Sequence, residues 1–488
     1  MPESPPSIGR LAVAGAAWSV VQSWGGRLVT FLLFVLLARF LEPAVFGVAS
    51  VAVIVLGLIT LTAEFGFGDA IVQRRDLEAA DMDLPFFVSL AISAALAAAC
   101  VIGSGEIERL LGVPGLAPVL QVMVWAGPAT IIARYQEFAY RRALGFRALA
   151  FRVLIANLLA GSTAVVFAFS GAGVWSLVAQ AYVSAAVGIV WLWSRPVWKP
   201  AFAPRRESFV ALARFGLPLT ALRLADFASV RFYEVVLIGR HGIAAYGIYA
   251  VAGRLYETLL NLLQGALSEV SLTILSRFSD DRERLAEAYL RTLILAGFLT
   301  APVFVVVAAL VPEITAVLFG GKWVGVDAVA RPLLLLGAFQ ALYHFNASFV
   351  AARGRTSAVM VASLTKSIVI PIAVLAVPST DLVTLVQVFV LAQLTEAPVS
   401  FTVTLRELRL SPMRLFASLA PAALACAAGY GAVMWARPTL TEALGAPLPT
   451  GLALGVVFAL AFTAVAATVG FRQILVILDF VRARLRPA

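Results

Sequence analysis

About fourteen apolar runs, each near the length that crosses a bilayer, follow one another through this 488-residue chain with only short polar connections between them. A helix needs about 20 apolar residues to traverse the hydrocarbon. Runs of that kind lie at approximately 12–40, 44–67, 84–104, 115–136, 148–170, 173–194, 209–239, 243–275, 286–311, 326–350, 357–377, 382–405, 412–436 and 450–478. Composition agrees: 61% of residues are hydrophobic, 13% are charged, and the mean hydropathy is +0.95. A soluble domain carries about 25% charged residues. The expectation is an all-α integral membrane protein of about fourteen transmembrane helices. The first run is too long for the apolar part of a cleaved signal, about 7–15 residues, and is expected to remain as a span.

A formal charge of +10 could suggest nucleic acid, yet the basic residues sit between apolar runs and form no basic domain. With the N-terminus in the cytoplasm, the inner connections are "QRRDLEAADMD", "RYQEFAYRRALGFRALAFR", "SRPVWKPAFAPRRESF", "SRFSDDRERLAEAYLR", "ARGRTS", "RELRLSPMR" and the tail "FRQILVILDFVRARLRPA". They hold most of the Lys and Arg, as cytoplasmic loops do. An even number of spans then puts both termini inside, in a bacterial inner membrane. "RYQEFAYRRALGFRALAFR" also has the basic–aromatic alternation of a segment that lies on anionic lipid. "DDRERLAEAYLR" is expected to be a short helical linker, and the tail from Phe471 an interfacial helix.

Several chemistries have no residues to perform them. Cys100 and Cys426 are solitary in apolar runs, and His241 and His344 are isolated, so neither a disulfide framework nor a metal site is expected. No Walker-type loop occurs, and "GFGDAI" has no βαβ context. Outer connections are short, whereas a membrane-embedded glycan polymerase or ligase would be expected to carry a large outer loop with catalytic Arg or His. The chain is expected not to be an enzyme and to need no cofactor, with a proton or sodium gradient as the candidate energy source.

The chain also repeats itself. "LARFLEPAVFGVAS" at 37–50 is echoed by "LIGRHGIAAYGIYA" at 237–250, so that Phe46-Gly47 returns as Tyr246-Gly247, 200 residues later. The period covers six spans, an even number, which preserves orientation. Two parallel six-helix lobes related by a pseudo-twofold axis along the membrane normal are expected. Residues 1–206 would form the N-lobe, 207–407 the C-lobe, and 408–488 a C-terminal helix pair with a basic cytoplasmic tail.

Charged residues inside spans point to a polar interior. Spans seven and eight carry Arg223, Asp226, Arg231, Glu234, Arg254 and Glu257. Each would cost about 2.5–3.5 kcal/mol at the bilayer centre if left facing lipid. Residues 223, 226, 230, 231 and 234 share a helical face, as do Arg254, Glu257, Asn261, Gln264 and Ser268. Span one offers Ser19, Gln22, Ser23, Gly26, Arg27 and Thr30, and span two Ser50, Gly57, Thr60 and Glu64. The stripes fall on the spans that the repeat makes equivalent, and four of them meeting would enclose a wet cavity. The competing reading treats Arg223–Asp226, Arg231–Glu234 and Arg254–Glu257 as i,i+3 salt bridges that only hold helices together. Arg27, with no acidic residue one turn away, is the candidate free cation for a diphosphate, which suits a planar guanidinium. Glu64 is its candidate counter-ion or a protonation site. Lys366 and Glu396 are expected to pair peripherally, in a structural role.

"FGDAIVQRRDL" (67–77), "GAGVWSLVAQ" (171–180), "RFGLPL" (214–219), "VVLIGRHGIAAYGIYAVAGRL" (235–255) and "DDRERLAEAYLR" (280–291) resemble the polysaccharide-transport family of bacterial lipid-linked oligosaccharide flippases. That family sits in the multidrug/oligosaccharidyl-lipid/polysaccharide exporter superfamily. The resemblance runs from about residue 10 to about residue 370. Two places depart from the family pattern: Glu234 stands where it often has Asp, and "LTILSR" around Thr273 where it often has Pro. The resemblance implies a central cavity, alternating access, and an undecaprenyl-diphosphate-linked oligosaccharide as cargo for surface polysaccharide synthesis. It implies contact with membrane lipids, a polymerase and glycosyltransferases, a monomeric state and no nucleic-acid partner. A cation-coupled multidrug antiporter or a peptidoglycan-precursor flippase would share the architecture.

Overall fold

The computed structural model describes residues 26–74, 76–202, 205–278, 282–352, 356–378 and 381–475. Every regular element among them is helical, and eleven helices are long and apolar enough to cross a membrane. The chain is a multi-pass, all-α protein, as its apolar periodicity demands. The expected runs and the observed spans differ in three places. The first run begins outside the described residues, and its part at 26–40 is helical. Runs seven and eight form one element, Arg206–Phe278. The eleventh run lies on the helix Thr356–Ala376, whose described apolar stretch is the short Leu364–Ala376.

Gly242 explains the second difference. Its φ of 81° and ψ of 174° break the helical path between 206–241 and 243–278, in a region of backbone space that side-chain-bearing residues rarely enter. Two spans therefore meet at a single non-helical residue, without a loop. The segment expected to be a linker also belongs to a span: Arg282–Leu295 leads through a π turn, 296–300, into Ala301–Ala309. Its Tyr289 and Leu293 are fully buried. The tail helix is described only to residue 475, and Ser19, Gln22 and Ser23 fall outside the described residues.

Contacts group the chain into two units, residues 1–247 and 248–488. In the first, the helix at 26–40 packs on Phe146–Phe169, where Gly26 abuts Leu154 and Gly161 abuts Leu33. Small residues let helices in lipid approach closely where water supplies no driving force. An aromatic core gathers Phe67, Phe86, Tyr135, Phe138 and Trp198. Phe86 meets Tyr135 and Trp198 edge-on, with ring centroids 5.3 Å apart in both cases, the arrangement ring quadrupoles favour. Hydrogen bonds strap the connection after Trp175–Trp193 onto this core. The Trp198 indole donates to the Ala79 carbonyl at 2.8 Å, the Gln136 amide to the Trp198 carbonyl at 2.5 Å, and the Ala201 N–H to Asp83 at 2.9 Å. Beside it, Arg205 lies 2.6 Å from Glu78, whose hydrogen bond raises the guanidinium further above its ordinary pKa.

The echoed residues touch one another. A Cβ on Gly47 would overlap the carbonyl oxygen of Ile243, and one on Gly247 would overlap that of Pro43. Shifting by 200 positions exchanges the two contacts, since 43 becomes 243 and 247 becomes 47.

The second unit packs Arg282–Leu295 and Ala301–Ala309 against Val326–Tyr343 and the hairpin of Pro412–Leu444 with Pro447–Val469. Proline at the first turn of both hairpin helices presets φ where no N–H is needed. Leu285, Tyr289, Phe345, Phe349, Leu408 and Leu415 form one core cluster, and Phe298, Ala422, Ala425 and Ala466 another.

Candidate functional site

The charged residues singled out in the sequence divide between the two units. In the first unit, Glu64 ends the helix Pro43–Glu64 and lies 3.0 Å from Arg134 on Ala126–Arg142. Its side chain is 12% exposed. Arg27 lies half-buried on 26–40. Arg134 is a partner for Glu64 that the sequence reading did not supply. Arg223 reaches across to Asp69, 2.9 Å away on the helix Phe67–Gln73. Asp226 is half-buried one turn further on, and Ser229 donates to its backbone carbonyl at 2.9 Å. The i,i+3 pair Arg231–Glu234 does form. Glu234 is buried, and the Arg231 guanidinium also lies over the Phe227 ring, 4.8 Å from its centroid. An ion pair capped by an aromatic face gains cation–π attraction as well.

The second unit holds the other stripe differently. Arg254 and Glu257 stand 3.9 Å apart, and their side chains are 45% and 60% exposed. Asn261 is exposed, with its amide turned back to the Glu257 carbonyl at 2.8 Å. Gln264 lies on the same helix, with its side chain outside the described residues. Lys366 and Glu396 pair at 3.2 Å, each 19% exposed.

The basic segment 134–152 runs from the end of the helix Ala126–Arg142 into the start of Phe146–Phe169, and several of its cations take part in their packing. Glu137, nearly buried, is bracketed by Arg141 at 2.5 Å and Arg152 at 3.2 Å. Arg142 donates to the carbonyls of Arg74 at 2.9 Å and Leu77 at 2.6 Å, and so caps the end of Phe67–Gln73 as a basic side chain can. An open groove nearby, about 740 Å³, collects Arg74, Arg206 and Arg214 beside Glu207.

Sequence reasoning missed the long-range partners. Arg134 for Glu64 and Asp69 for Arg223 are invisible to helical spacing, because they come from other helices. Arg437 and Glu313 were missed too. The guanidinium meets the carboxylate through Nε at 3.0 Å and Nη2 at 3.1 Å, and also reaches the Ala309 carbonyl. The one available signal was a lone acid and a lone base, each next to a proline at a span end.

The chain matches the family described as polysaccharide biosynthesis protein over residues 36–328. It is 27% identical over 331 residues to the succinoglycan biosynthesis transport protein ExoT of Rhizobium meliloti (strain 1021), a stretch covering 68% of this chain and 66% of that protein. It is 22% identical over 359 residues to the lipopolysaccharide biosynthesis protein WzxC of Escherichia coli (strain K12), covering 72% of this chain and 71% of that one. Among solved structures, the lipid II flippase MurJ in an inward closed conformation matches with a TM-score of 0.69 at 13% identity, over 93% of this chain and 99% of that one. An inward-facing multidrug transporter of the MATE family matches with a TM-score of 0.62 at 18% identity, over 78% and 94%. The likeness to both is one of fold. The resemblance read from the sequence motifs is borne out, and the protein belongs to the polysaccharide biosynthesis protein family.

Proposed function

We propose that the protein is a flippase, not an enzyme, that moves polyprenyl-diphosphate-linked oligosaccharide units across the bacterial inner membrane for surface polysaccharide synthesis. Both termini face the cytoplasm, and fourteen spans form the lobes 1–206 and 207–407 with a C-terminal pair at 408–488. The reciprocal crossing of 43 with 247 and 47 with 243 supports a pseudo-twofold relation between the lobes, because a contact on such an axis is made twice. The relatives named for succinoglycan transport and lipopolysaccharide biosynthesis support the cargo class.

One observation carries the proposal. Arg254, Glu257 and Asn261 are exposed on a helix within an apolar stretch, and charges exposed at membrane depth face water, since lipid would charge several kcal/mol for each. Arg223 and Asp69 are open to a similar degree. These groups would line the water-filled path that a glycan needs, with guanidinium groups including Arg27 on the diphosphate while the lipid tail stays in the bilayer. A proton or sodium gradient drives the cycle, and the chain works as a monomer beside polymerase and glycosyltransferases.

Deleting the gene tests this directly. Surface polysaccharide should disappear while lipid-linked units build up on the cytoplasmic side. Unchanged polysaccharide with altered drug tolerance would favour a multidrug antiporter, and lethal loss of the wall a peptidoglycan-precursor flippase; either result overturns the proposal.

A further inference from the structure

The Lys366–Glu396 pair does not sit at a periphery. It lines a cavity of about 390 Å³ inside the second unit, within the roughly 300–1,000 Å³ typical of small-molecule sites. Walls come from the helical stretch 243–278, from Val326–Tyr343 and its continuation Asn346–Ala352, from Thr356–Ala376 and from Glu396–Leu408. That volume matches on the order of a dozen waters in the liquid. A space of this size can hold water where polar groups line part of its wall, and part of this wall is polar.

The walls are polar in a particular way. The Tyr256 hydroxyl donates to Gln340, whose amide faces the cavity together with Tyr343. Asn346 is held rigid: its oxygen accepts from Tyr289 at 2.7 Å and its amide donates to Ser400 at 3.0 Å. Lys366 and Glu396 present a donor and an acceptor side by side.

This set discriminates among ligands. A diphosphate is disfavoured, because the ammonium is already matched by a carboxylate at 3.2 Å and the pair brings no net positive charge. A metal cation is disfavoured because the ammonium occupies the carboxylate that would ligate it. Sugar hydroxyls fit, since each is both donor and acceptor and meets here carboxamides, phenols and an ion pair able to form charge-assisted hydrogen bonds. Tyr256 and Tyr343 add rings that combine an apolar body with a polar tip. We infer that this cavity is a sugar-binding subsite that takes a pyranose unit of the glycan during transport. The inference rests on the transport function proposed above.

Site-specific photo-crosslinking tests it in the full-length chain, expressed in its own bacterium lacking the native copy and fed tritiated hexose. Val403→p-benzoylphenylalanine places the probe in the cavity wall, and Leu375→p-benzoylphenylalanine places it at an exposed position on Thr356–Ala376. Irradiation should attach at least tenfold more tritium at 403 than at 375. Equal labelling, or none at 403 in cells whose polysaccharide export depends on the protein, overturns the subsite and leaves the transport function standing. Full polysaccharide in cells lacking the gene would instead remove the transport function itself. A second variant separates recognition from mere pairing: Lys366→Glu with Glu396→Lys keeps an ion pair but exchanges donor and acceptor. Export should fall at least tenfold at unchanged protein level, and wild-type export would overturn the inference. If the exchanged pair fails to accumulate, the crosslink ratio decides.

Discussion

Arg231–Glu234 and Arg254–Glu257 are written alike, an arginine followed three residues later by a glutamate on an apolar helix, and they end in opposite surroundings. The first is closed: Glu234 is 6% exposed, and a phenylalanine ring covers its arginine. The second is open and loosely joined at 3.9 Å. Neighbours from other helices make the difference, because sequence spacing fixes only which residues share a face. Closed pairs hold a lobe together, since removing one member strands a charge away from water. Open pairs contribute little to stability and are the ones that the proposed transport path would use.

The comparison breaks most readily at Glu234. Glu234→Ala should lower stability by about 3 kcal/mol in detergent unfolding, while Glu257→Ala should stay below about 1 kcal/mol; equal losses would erase the distinction. Arg437→Met is the parallel test in the second unit, where Glu313 is 10% exposed. A loss of about 2–3 kcal/mol is expected, the low side of a broken buried pair because Arg437 is itself 20% exposed. Arg254→Ala sharpens the other side: it should leave the unfolding curve within about 1 kcal/mol, and both it and Arg27→Ala should reduce surface polysaccharide several-fold at equal protein level. Normal export by either variant removes that residue from the transport path. The smallest effect belongs to Arg109→Ala, whose pair with Glu106 is 2.6 Å long but highly exposed. Neither stability, within about 0.5 kcal/mol, nor export should change.

Much of the fold was legible because a bilayer demands a long apolar run for each span. The alternation of basic connections and the echo of Phe46-Gly47 at Tyr246-Gly247 could be read the same way. The Gly242 junction was not, since a one-residue break between spans leaves no polar loop to see. Six charges on spans seven and eight stood out in the sequence, but their partners were only partly legible. Arg231–Glu234 follows from helical geometry, whereas Glu64–Arg134 joins residues 70 positions apart and Arg437–Glu313 joins residues 124 apart. Lys366 and Glu396 were paired correctly, yet nothing in their spacing announces a hollow beside them.

Arg142 carries a consequence for how the +10 formal charge is understood. Its guanidinium holds backbone carbonyls at Arg74 and Leu77, and Arg141 and Arg152 flank Glu137. Cations committed in this way are poor partners for mobile anions. Retention of acidic phospholipid by the purified protein should therefore respond to added salt more weakly than a count of arginines suggests.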